Sequence, residues 1–166
     1  MEKNIVIRVD SAVGRGLKDW WAGLDNDRAS RAVLRRCATL DEIVLSPAYQ
    51  RFYRYMLTRG WPDNAADWQN DKLAAVAGLA AWVKIDTETN LPYQMSETNG
   101  ERPLLSELRF RALLKLENTD DVFVGLRRAL PLVGHKTSVI QLANDVYWWG
   151  DSIKKRWAYS YRWPTK

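Results

Sequence analysis

Apolar residues recur along most of the chain at three- and four-residue spacing, and only Met1 to Val9 shows the strict alternation of a half-exposed strand. That pattern predicts an all-α fold of about eight or nine helices. The first helix begins at Asp10 or Ser11, either of which can cap it. It carries Leu17, Trp20, Trp21 and Leu24 on one stripe before Asp25 and Asn26 break it. A second, capped by Asn26 or Asp27, runs to Cys37. Thr39 then opens a short turn through Ile43 that stops before Ser46-Pro47, where the proline suits a first helical turn. Tyr49, Phe52, Tyr53 and Met56 line one side of the next helix, with Arg51, Arg54 and Arg59 elsewhere and Gly60 at its end. From Asp67 or Asn70 to Lys84 the chain is at its most apolar. Leu73, Val76, Ala77, Ala80 and Ala81, set among small residues, predict a central, closely packed helix there.

Periodicity then stops. Ile85 to Arg102, reading IDTETNLPYQMSETNGER, is rich in Thr, Asn and Glu and predicts a long loop. The expected organisation is two small helical bundles: an N-terminal lobe over 1–86, a connecting loop over 87–102 and a C-terminal lobe over 103–166. Four helices are expected in the last, near 104–117, 119–130, 138–149 and 151–162. Asn118 or Thr119 caps the second of these, with Asp120 and Asp121 in its first turn, where the helix dipole favours carboxylates. Pro131 and Gly134 end it, Ser138 caps the third, and Gly150 separates the third from the fourth.

Composition narrows the chemistry. A chain of 166 residues suits one compact domain or two small lobes. Cys37 is the single cysteine, so neither a disulfide framework nor a cysteine-based zinc site can be built; on an apolar helix edge it reads as a buried structural thiol in a reducing compartment. The apolar stretch Ile5 to Ile7 is interrupted by Arg8 and Asp10, far short of a signal-peptide core. No other segment approaches the ~18 apolar residues of a membrane span, which predicts a cytoplasmic protein without a membrane partner.

Catalytic parts are missing from the pattern. His135 is the single histidine and reads as a surface loop residue. The segment Val13-Gly14-Arg15-Gly16-Leu17-Lys18 resembles the start of a phosphate loop, but Asp19 stands at the third glycine position and no strand precedes it. The carboxylate pairs Asp41-Glu42 and Asp120-Asp121 sit at helix starts and read as capping groups, since adjacent helical residues point about 100° apart. The expectation is a protein that is not an enzyme and binds no cofactor or metal.

What remains to be explained is a net charge of +5 beside nine tryptophans. Trp20, Trp21, Trp82, Trp148 and Trp149 fall on helical stripes, and with Trp157 they are predicted to build core. The charge is uneven: residues 1–86 hold 13 basic and 11 acidic side chains, 87–102 one and three, and 103–166 eleven and six. Arg28, Arg31 and Arg35 make a basic stripe on the second helix, with Arg36 beside it. Arg111 and Lys115 are i, i+4 partners facing outward, whereas Arg109 lies among Leu105, Ala112 and Leu116 and is predicted at the border of the core or inside it. Arg127 and Arg128 lie off the stripe Val122, Leu126, Ala129, Val133. The last helix adds Lys154, Lys155, Arg156 and Arg162, interleaved with Trp157, Tyr159 and Tyr161. Basic and aromatic side chains mixed in this way suit a surface that follows a phosphate backbone and stacks on bases. The competing reading is a helical scaffold whose basic faces bind acidic protein partners.

One ordered set of residues goes further: Trp20 to Leu24, Leu34-Arg35-Arg36-Cys37, Arg109-Phe110-Arg111, Leu126-Arg127-Arg128-Ala129 and Trp148-Trp149-Gly150. Over Leu17 to Tyr161 the sequence resembles the CasB family, the small subunit of the type I-E CRISPR surveillance complex, Cascade. The resemblance implies an all-helical, two-lobed, non-catalytic subunit in antiviral defence. It also implies a pair of copies beside backbone, large and RNA-processing subunits, with basic side chains on the target strand of the crRNA–DNA heteroduplex and on the displaced strand of the R-loop. By position, Arg35 and Arg36 match the family's arginine pair, Arg109 and Arg111 the basic start of its C-terminal lobe, and Arg127 and Arg128 its leucine-arginine-arginine motif. After Gly150 this sequence departs from relatives that place basic residues directly: Asp151 and Ser152 intervene, and charge arrives at Lys154 to Arg156.

Overall fold

A computed structural model describes residues 4–165. Ten α-helices dominate them: α1 (Ala12–Gly23), α2 (Arg28–Arg36), α3 (Leu40–Val44), α4 (Pro47–Leu57), α5 (Asp67–Ala80), α6 (Leu91–Met95), α7 (Glu107–Leu114), α8 (Thr119–Ala129), α9 (Val139–Tyr147) and α10 (Asp151–Ser160). The all-α expectation stands, and the caps fall where the sequence put them. Ser11, Asp27, Thr39, Asn118 and Ser138 each accept a hydrogen bond from a first-turn backbone N–H, and Ser46, not singled out as a cap in the sequence, does the same. The alternating N-terminal stretch forms no strand among the described residues, although Ile5 and Ile7 are buried and Val6 is exposed; Met1 to Lys3 lie outside them.

The core forms around α5. Every residue from Leu73 to Ala80 is buried, because this helix packs against α3, α8 and α9. Small side chains permit the approach: a Cβ on Gly78 would stand 2.6 Å from Phe123 Cε1 and 2.8 Å from Ile43 Cδ1. At the N-terminus of α5, Gln69 accepts from the Ala66 N–H and donates to the Tyr147 hydroxyl, tying the helix start to α9.

The predicted loop has structure of its own. Strand β1 (Ile85–Asp86) runs parallel to β4 (Lys136–Thr137), and β2 (Thr98–Asn99) pairs antiparallel with β3 (Arg102–Pro103) around Gly100, which takes a left-handed φ of 74°. Between them α6 is capped by Asn90 and buries Leu91 and Met95. Five residues are too few to display a 3.6-residue period, which is why the pattern there reads as irregular. Asp86 is a junction: one oxygen accepts from the Val139 N–H at the start of α9, and the other pairs with Lys18 of α1 at 2.6 Å.

Candidate nucleic-acid interface

Apart from Arg162, which follows α10, the basic side chains singled out on these faces of the sequence divide into two groups. Arg28 and Arg36 on α2, Arg109, Arg111 and Lys115 on and just after α7, Arg128 on α8 and Lys155 on α10 are exposed. Among the described residues none of these seven makes a side-chain hydrogen bond or ion pair. The other five have internal partners. Arg31 pairs with Asp25 at 2.6 Å, Lys154 with Glu117 at 3.1 Å, and Arg156 with the buried carboxylate of Asp145. Asp145 also accepts from Trp157 Nε1 at 2.8 Å, so α9 and α10 are joined by a satisfied buried acid.

Arg109 corrects its expectation of core placement. Phe110 and Leu113 take the inward positions of α7, and Arg109, about 100° away from Phe110 on the wheel, is turned to solvent with Leu108. There it lines a groove with Arg128. The two arginines, from motifs nearly twenty residues apart, border one groove between α7 and α8 of about 400 Å³, which Leu105, Leu113, Ala129 and Leu132 also line. Gly125 lets the helices close, since a Cβ there would stand 2.7 Å from Leu116 Cδ1.

Arg35 and Arg127 instead converge on Trp82. Their guanidinium carbons lie 4.8 and 5.2 Å from the indole centroid. Arg35 Nε donates to the Ala81 carbonyl at 3.0 Å, and Arg127 Nη2 donates to the Arg35 carbonyl at 2.9 Å, fastening α8 to the end of α2. His135 stacks on the same indole, with ring centroids 5.8 Å apart. Its Nδ1 lies 2.9 Å from the Trp82 carbonyl oxygen, which makes Nδ1 the donor; the 3.4 Å approach of Arg35 Nη2 to it is then a contact between two donors. Burial pushes the His135 imidazole below its ordinary value; the bond to the Trp82 carbonyl opposes this, and Arg35 and Lys84 reinforce it. His135, read from the sequence as a surface loop residue, is therefore half-buried in a structural cluster, and its φ of 57° follows Gly134 through a left-handed turn. Nothing in the sequence pairs these four residues, because the contacts join positions 45 to 100 apart.

The aromatic residues also sort. Trp149 and Trp157 are core, as expected, and Trp20, Trp21 and Trp82 are half-buried against it. Trp148 is 47% exposed: α9 ends at Tyr147, which takes the inward position, and Trp148 follows as the cap residue. Cys37 is buried and donates to the Val33 carbonyl, and burial raises its thiol pKa, as suits a structural residue. Among the described residues no helix is long and apolar enough to cross a membrane, and no group of three His, Cys, Asp or Glu side chains is placed to hold a metal ion.

Comparison with known proteins places this arrangement. The family model described as CRISPR-associated protein Cse2 matches residues 30–161. No curated protein matches the sequence. The crystal structure of CasB from Thermus thermophilus superposes with a TM-score of 0.70 at 23% identity, over 91% of this chain and 97% of that one. A chain in the crystal structure of E. coli Cascade bound to a PAM-containing double-stranded DNA target superposes with a TM-score of 0.64 at 21% identity, over 93% of this chain and 95% of that one.

Proposed function

The chain belongs to the CRISPR-associated Cse2 family, the small subunit of type I-E Cascade, and from that premise we propose that it is a non-catalytic subunit whose basic helix faces hold the strands of an R-loop open. The observation that carries this reading is the set of seven exposed cations on or beside four helices, none used by the fold. A side chain held by an internal carboxylate has already exchanged its water for a partner; a free one can exchange counterions for phosphates, without sequence preference. The target sequence is then read by the guide RNA, with this protein acting on backbone and displaced strand. The similar chain in E. coli Cascade belongs to a complex bound to target DNA, which supports target DNA and the other Cascade subunits as partners here; the heteroduplex and a second copy of this chain rest on the family resemblance.

In this reading Arg28, Arg36, Arg109, Arg111, Lys115, Arg128 and Lys155 contact phosphate. Arg31, Arg35, Arg127, Lys154 and Arg156 mainly set the positions of the helices that carry them. A second reading, an acidic protein segment bound to the same faces, is favoured by the apolar residues that line the α7–α8 groove beside Arg109 and Arg128. Titration of single-stranded DNA into the purified chain over a range of salt separates the two. Each phosphate contact adds about −0.7 to the slope of log affinity against log salt. Arg109→Ala/Arg128→Ala is expected to make that slope shallower by about 1.4. An unchanged slope and affinity in that variant count against phosphate contact in the groove and favour a protein occupant.

A further inference from the structure

α10 interleaves basic and aromatic residues, and the fold consumes most of them. Trp157 is buried with its N–H on Asp145, and Tyr161 is buried with its hydroxyl on the Leu105 carbonyl and its ring stacked 4.1 Å from Phe110. Lys154 and Arg156 are held by Glu117 and Asp145. Lys155 and Tyr159 remain, one helical turn apart on the outward face. Tyr159 is 93% exposed, the most exposed large hydrophobic side chain among the described residues. Helical side chains lean toward the preceding turn, which sets Tyr159 and Lys155 on one face of α10.

A lone exposed ring needs no explanation, but this one has company. Trp163, 40% exposed, folds back so that its Nε1 donates to the Ala158 carbonyl at 2.8 Å, one residue before Tyr159. It is braced edge-on by Phe110 and Tyr161, at 5.4 and 5.2 Å. Arg162, between them in sequence, lies 4.3 Å over the Tyr93 ring. The end of α10 thus gathers two accessible rings, one anchored and one free, with the cations Lys155 and Arg162.

We propose that Tyr159 is a base-stacking residue, a platform for an unpaired base of single-stranded nucleic acid whose adjoining phosphate is met by Lys155. The inference rests on the nucleic-acid reading above and adds a contact to the base itself. A phenol ring with no packing partner loses nothing on covering a base, and stacking tolerates any base because each has a π-face. Phosphate-only binding cannot distinguish a strand with bases from one without; stacking can.

The test compares full-length protein binding to an oligothymidine and to an abasic strand of equal length and charge, by fluorescence anisotropy at fixed low salt. Wild type should favour the oligothymidine. Tyr159→Ala should reduce that preference by about fivefold, with affinity for the abasic strand unchanged, and Tyr159→Phe should retain it. Lys155→Ala should weaken both strands alike. A preference unaltered in Tyr159→Ala, or equal binding of both strands by wild type, overturns the stacking role while leaving phosphate contact standing. Failure of wild type to bind either strand overturns both. The substituted side chain is outside the core, so unchanged thermal melting of Tyr159→Ala confirms that the comparison is between folded proteins.

Discussion

Arg127 and Arg128 are neighbours in one motif, yet the fold gives them opposite tasks. Arg128 points to solvent at the α7–α8 groove, whereas Arg127 lies over Trp82 and donates to the carbonyl that ends α2. A helical wheel correctly removes both from the apolar stripe of α8. It has no means of showing that an indole from 45 positions earlier occupies the space beside one of them. Stability measurements separate the two. Arg127→Ala removes a cation–π contact and a hydrogen bond to a carbonyl, and is expected to destabilise by about 1–3 kcal/mol in urea melts. Arg128→Ala, which touches nothing polar in the fold, should fall within about 0.5 kcal/mol of wild type. Equal losses would mean that the Trp82 cluster does not fasten α8 to α2. Side-chain chemistry was therefore legible as a list of basic residues. Its division into free and engaged groups was not, because Asp145, Glu117, Asp25 and Trp82 are brought to their partners by tertiary packing.

Helices were the most legible level, since caps and apolar spacing are local. Asp27, Asn118 and Ser138 cap where residue type alone placed them, and α5 is the central helix that its alanines predict. Two elements escaped for physical reasons. α6 is shorter than two turns, so its buried Leu91 and Met95 show no period. The register of α7 is fixed by Phe110 and Leu113 rather than by the face of Leu105, Ala112 and Leu116, so Ala112 and Arg109 are exposed. The closeness of α5 to its neighbours carries its own prediction. Gly78→Ala gains about 1 kcal/mol of helix propensity, but the added methyl would sit 2.6 Å from the buried ring of Phe123. Overpacking of this kind costs about 1–3 kcal/mol, so the net effect expected is a lowered melting temperature. A raised melting temperature would show that α5 and α8 can part without loss.

At the scale of the molecule, charge and core occupy different layers. The buried acid Asp145 and the ion pairs Lys154–Glu117 and Arg31–Asp25 use cations to position helices, and seven further cations on or beside α2, α7, α8 and α10 are left exposed. An R-loop exchanges a DNA duplex for a heteroduplex of nearly equal stability, so contacts of modest strength along the strands can set its lifetime. In the proposed function, dispersed and individually weak phosphate contacts suffice for that task, with no catalytic group. The most direct test is the lifetime of an R-loop formed on a target duplex by a Cascade complex reconstituted with and without this protein, followed through permanganate reactivity of thymines in the displaced strand. Omission of the protein is predicted to shorten that lifetime while crRNA retention in the complex stays the same. An R-loop that persists equally long without it would contradict the account.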